Sequence, residues 1–254
     1  MWVLPLVVAL FGAVFFMNNL TSAKSSIKDQ LAIVKRKHAW IMSFIYIGTF
    51  GSFIGYSAAF PLLIKTQFPS VTIGIAFLGP LVGSLARPLG GLLADKVGGA
   101  IVTFWNFIAM AAATIGVLYF VGTKDFLGFL AMFLILFVTT GVGNGSTYRM
   151  IPSIFREQSL HKARGKGDAA RAVALKAASI ESGAALGFIG AIGACGGYLI
   201  PSGFGKSIAL TGGPQLALVV YLVFYATCLG LTWWFYLRRS PEASGAASLA
   251  QARV

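Results

Sequence analysis

The chain has 254 residues, 57% hydrophobic and only 11% charged, with a mean hydropathy of +0.81. A soluble domain carries about a quarter charged residues, so this composition excludes one and identifies an integral membrane protein. The formal charge of +13 does not mark a nucleic-acid binder, because the basic residues cluster in loops between apolar runs and no recognition motif accompanies them.

Residues 1–18 are expected as the first span. The stretch from Met1 to Met17 is apolar throughout and lacks the basic flank and cleavage site of a signal peptide. Residues 19–38 carry Lys24, Lys28, Lys35, Arg36 and Lys37 against Asp29, a net +4. They are expected as a cytoplasmic loop, with Ile27 to Val34 as an amphipathic stretch on the membrane surface. Residues 39–238 are expected as a bundle of six further spans, beginning with one from about Ala39 to Ile64. In it Tyr46, Phe50, Phe53 and Tyr56 recur every three or four residues and share a helical face, for which packing or lipid contact is the default role. Lys65 to Pro69 follows as an outer loop, and the next spans are about Val71 to Leu93, Ile101 to Val121, and a fifth ending near Thr147. At that end Gly141, Gly143 and Gly145 alternate, which lets another backbone come close.

Residues 149–176 hold seven basic side chains against Glu157 and Asp168, a net +5, and are expected as a second basic cytoplasmic loop. The sixth span, about Ala178 to Ile200, contains the G-x-x-x-G pairs Gly183/Gly187 and Gly193/Gly197, and Pro201 to Lys206 leads outward. The last span, Gln215 to Leu237, ends in an interfacial belt of Trp233, Trp234 and Tyr236, and residues 239–254 form a tail expected to be disordered. The charge asymmetry of the loops places the N-terminus outside and the C-terminus in the cytoplasm. Cys195 and Cys228 fall inside apolar runs, and His38 and His161 have no partners at ligand spacing. No nucleophile–base set, P-loop or metal set occurs, so the chain reads as a non-enzyme without a cofactor.

Arg87 stands out within these runs. It precedes Asp95 by eight residues, which in a helix is roughly 12 Å and close to the middle of the hydrocarbon. A guanidinium at that depth is costly unless it meets a polar cavity, a carboxylate or an anion. Two readings are open: Arg87 faces a substrate, or it snorkels or pairs with Glu181, the only carboxylate inside a span. Glu181 reads first as a helix-start residue balanced by Lys176, and second as a partner of Arg87 or a gate. Asp95 reads as a residue that caps and locks its turn with basic neighbours.

The stretch Gly91-Leu92-Leu93-Ala94-Asp95-Lys96-Val97-Gly98-Gly99 resembles the cytoplasmic loop motif of the major facilitator superfamily, with Gly91, Asp95, Lys96 and Gly98 as its structural and gating positions. Gly48 to Ser57, Lys65 to Pro69, Leu85-Ala86-Arg87 and Ala184 to Gly193 together resemble the bacterial nitrate/nitrite porters, over residues 1 to about 239. The resemblance implies an all-α integral membrane fold equivalent to helices six to twelve of a twelve-helix porter. That is the C-terminal six-helix bundle plus the last helix of the N-terminal half, with residues 19–38 as the inter-half loop. It also implies that Arg87 is this half's arginine for a small anion and that Tyr46 and Phe50 bring aromatic rings to it. Gly193, Gly196 and Gly197 would belong to the glycine-rich substrate helix.

A planar, weakly hydrated anion such as nitrate suits a guanidinium fork and flat aromatic faces. The implied function is transport of nitrate and nitrite across the cell inner membrane, by exchange under alternating access. The scarcity of titratable groups in the spans favours exchange over proton coupling. Substrate in such folds lies between two halves, so the implied partners are the lipid bilayer and a separately encoded N-terminal half. Nitrate/proton symport is the alternative mechanism, and a truncated non-transporting membrane protein or scaffold is the alternative role.

Overall fold

The computed structural model describes residues 3–17, 32–165 and 167–238. All regular structure among these residues is helical: α1 Val3–Phe16, α2 Lys37–Gln67, α3 Ile73–Val97, α4 Gly99–Thr123, α5 Phe126–Lys162, α6 Asp168–Ala194, α7 Gly196–Thr211 and α8 Gln215–Leu237. Cys195 alone separates α6 from α7, and the two form one run of 44 residues. Six helical runs are long and apolar enough to cross a membrane. The first expected span is the shorter one: α1 has 14 residues, about 21 Å against a hydrocarbon thickness of roughly 30 Å, and its apolar side chains from Leu4 to Phe16 are largely exposed.

Several helices run further than the hydropathy pattern marks. α5 passes Thr147 and continues to Lys162, so much of the expected loop at 149–176 is helical and only a short connection remains before Asp168. No glycine lies between Thr147 and Lys162, and Pro152 is taken up within the helix. The break comes where Gly165 and Gly167 adopt φ of 81° and 84°, a region that favours glycine. Likewise Lys65 to Gln67 complete α2, and Pro201 to Lys206 lie inside α7, which stops at Gly212 with φ 74°. The turn after the Asp95 motif is a single residue, Gly98, with φ 108°. Asp125 opens α5 by accepting the Leu127 N–H at 3.1 Å on its side chain, an ordinary N-cap. Most of the amphipathic stretch Ile27 to Val34 and the tail 239–254 lie outside the described residues.

Between apolar helices in lipid, close packing decides which faces meet. α3 and α5 form the most extensive pair, and glycine makes it so. A Cβ at Gly141 would strike the Gly83 carbonyl, one at Gly145 the Arg87 carbonyl, and one at Gly90 the Val142 carbonyl. Gly141 and Gly145 of α5 therefore do bring a second backbone close, whereas Gly143 makes room for the side chains of Asn106 and Thr49. Gly183, Gly187 and Gly190 of α6, by contrast, have nothing within 4 Å of a built Cβ. Toward the start of α5, along the i+4 row that leads to Gly141, the fully buried rings of Phe129, Phe133 and Phe137 pack with Phe60 of α2. Phe60 and Phe133 stack with centroids 4.6 Å apart.

Candidate functional site

Arg87 lies in the second half of α3, ten residues before its end at Val97, so about 15 Å inside it. Pro88 follows in the same helix and has no N–H to offer the Ser84 carbonyl. The α3–α5 seam touches the Arg87 main chain through Gly145, while the Arg87 side chain is exposed. Its guanidinium carbon sits 5.8 Å from the centroid of the Tyr148 ring on α5. No carboxylate pairs with it among the described residues. The pairing of Arg87 with Glu181 that the sequence left open is absent, because Glu181 bonds to Arg36 just ahead of α2. Glu181 is not balanced by Lys176 either.

Tyr46 immediately precedes, and Phe50 lies within, a π-helical turn, Ile47–Gly51, in the middle of α2, a feature frequent at functional sites. Their rings stack with centroids 4.9 Å apart and planes 20° from parallel. The Tyr46 hydroxyl donates to Asn144 Oδ1 of α5 at 3.0 Å. Gly193, at the end of α6, faces these rings: a Cβ there would come within 2.6 Å of Tyr46 and 3.3 Å of Phe50. Gly193 thus leaves room for the ring pair. Gly196 and Gly197 sit beyond it, at the start of α7. Gly196 presses on the Gly51 backbone, and a Cβ on Gly197 would lie 2.8 Å from Ile54. The structure therefore gathers Tyr46, Phe50 and Gly193, and reaches Arg87 through Asn144 and Tyr148 of α5, while Gly196 and Gly197 lie along the α2–α7 contact.

The Gly91, Asp95, Lys96 and Gly98 set lies at the far end of α3. Asp95 Oδ2 accepts from Arg149 of α5 at 2.9 Å, and a Cβ at Gly91 would lie 3.9 Å from the Arg149 side chain. Lys96 is exposed, and Gly98 supplies the turn. The lock expected of Asp95 is thus an ion pair with one particular arginine. Sequence reasoning missed Arg149, Asn144 and Tyr148 as neighbours of the site. Asn144 had a signal, as a carboxamide in an apolar run, where such groups usually bond across helices.

No protein-family model matches the chain. It is similar to the nitrate/nitrite transporter NarU of Salmonella typhimurium, with 47% identity over 246 residues, which is 95% of this chain and 53% of that protein. Similarity to NarU of Escherichia coli is 47% over 242 residues, covering 94% and 52%. A probable nitrate/nitrite antiporter of Thermus thermophilus, NarK2, is 35% identical over 227 residues, covering 86% and 46%. The chain spans about half the length of the curated relatives it matches and corresponds to a C-terminal-like piece of them. Its helical membrane-type bundle agrees with this similarity, which extends over nearly the whole chain and likens it to one part of these nitrate/nitrite transporters of the major facilitator superfamily.

Proposed function

We propose that the chain works as the C-terminal half of a porter that exchanges nitrate and nitrite across the cell inner membrane. The observation that carries this reading is Arg87: an exposed guanidinium well inside an apolar helix, without a carboxylate among the described residues, over the ring of Tyr148, one helical turn from the Asn144 that holds Tyr46 of the stacked Tyr46–Phe50 pair. Such a cation in hydrocarbon calls for an anionic partner, and a planar oxyanion fits its fork and the adjoining aromatic faces. Arg87 neutralises the anion, Tyr46 and Phe50 flank it, and the glycine faces of α6 and α7 act as sliding surfaces in alternating access. The basic loops support an N-terminus outside and a C-terminus in the cytoplasm. Substrate lies between halves in this fold, so a complete site takes a second half, separately encoded or continuous with this chain.

Transport is tested in vesicles holding this half together with its N-terminal complement. Nitrate uptake that requires internal nitrite and survives a protonophore supports exchange. Uptake that ignores nitrite and collapses with the protonophore replaces exchange by proton symport. No uptake from the assembled halves, with Arg87→Ala indistinguishable from wild type, leaves a scaffold role instead.

A further inference from the structure

Asn144 is 1% exposed, and its Oδ1 accepts from the Tyr46 hydroxyl at 3.0 Å. Its Nδ2 is sealed from solvent and has no hydrogen-bond partner, a condition shared among the described residues only with Oδ1 of Asp95. A buried donor left unpaired is costly, and native structures rarely keep one without a use. Asn144 stands one turn from Tyr148 on the same face of α5, and the Arg87 guanidinium lies over the Tyr148 ring at 5.8 Å. The four side chains form a connected set drawn from α2, α3 and α5. Within it Arg87 supplies the charge, the Tyr46 proton is committed to Asn144, and the amide Nδ2 is the uncommitted donor.

We propose that Asn144 is a further contact of the anion site: its Oδ1 holds the Tyr46 hydroxyl, and its Nδ2 donates to an oxygen of the planar oxyanion bound at Arg87. The proposal rests on the reading of Arg87 as an anion site. Nδ2 is sealed from solvent in this structure, so the contact forms only when the packing around it opens. A hydrogen bond from the amide to a charged ligand is among the stronger kinds, and it aims at one oxygen, as a bare cation does not.

The test is a nitrate titration followed by thermal stabilisation, on this half assembled with its N-terminal complement. Asn144→Ala is expected to weaken the apparent nitrate affinity by about tenfold or more. Tyr46→Phe keeps both the ring and Nδ2 and is expected to weaken it by less than about threefold, the share of a neutral hydrogen bond. Asn144→Asp keeps the acceptor for Tyr46 and the side-chain shape but loses the donor, and it serves where the alanine variant does not fold; it is expected to abolish the nitrate response. Wild-type affinity in Asn144→Ala or Asn144→Asp overturns the proposal. Equal losses in Asn144→Ala and Tyr46→Phe also overturn it, since Asn144 then acts only by placing Tyr46. Arg87→Ala separates the two levels. If it leaves the nitrate response intact, the anion site itself fails and the contact with it; if it removes the response while Asn144→Ala does not, the Asn144 contact alone fails.

Discussion

Replacing Gly145 by alanine directs a methyl group into the Arg87 carbonyl, with Gly91 N at 2.9 Å and the Arg87 carbonyl carbon at 3.2 Å. These are main-chain atoms of α3, so no side-chain rotation relieves the clash. Carbon normally approaches such atoms no closer than about 3.5 Å, and α3 and α5 must part by roughly 1 Å along a seam that Gly83, Gly90 and Gly141 also hold tight. Overpacking of this kind costs about 1–3 kcal/mol. In a chain of this size each kcal/mol is worth roughly 2–4 °C, so the melting temperature is expected to fall by about 2–12 °C. Gly187→Ala is the matched control, because its methyl meets nothing within 4 Å, and it is expected to melt at or slightly above wild type, alanine being the better helix former. Tryptophan fluorescence during heating in detergent reads both variants. Equal melting of the two, or wild-type melting of Gly145→Ala, would refute the assignment of the seam to glycine contact.

Arg87→Lys is expected to leave the ligand-free melting temperature unchanged, since the exposed side chain has no hydrogen bond among the described residues. Nitrate titration of the same variant should show about a tenfold loss or more, because an ammonium lacks the planar fork; unaltered affinity would count against a bidentate contact. Asp95→Asn and Arg149→Gln break a pair whose side chains are 33% and 47% exposed, so each should cost about 1 kcal/mol or less, and the double variant little more than either single one. Fully additive losses in that cycle would mean that the pair is not coupled. Phe133→Ala empties a fully buried position between Phe60, Phe129 and Phe137 and is expected to cost about 3–5 kcal/mol; a melting temperature within experimental error of wild type would contradict the packing described for that core.

The linear sequence by itself determined the membrane class, the approximate order of the spans, the place of Arg87 well inside its helix and the shared face of Tyr46 and Phe50. These follow from hydropathy, from the 1.5 Å rise and from the 3.6-residue period, all properties of one helix considered alone. The ends of α5 and α7 escaped that reading, because hydropathy marks where a segment leaves the membrane, while these two helices run on until the glycines at 165 and 212 turn the chain. Only the tertiary structure decided which helix covers each face. Gly145 and Gly187 are the same residue in similar runs, yet one meets a backbone carbonyl and the other open space. Glu181 found Arg36 across 145 positions of chain, in preference to the nearer Lys176 or to Arg87. Asn144 reached Tyr46 across 98. Periodicity assigns a side chain to a face, but the identity of the neighbour depends on how closely two backbones can approach, and that is a property of the packed bundle.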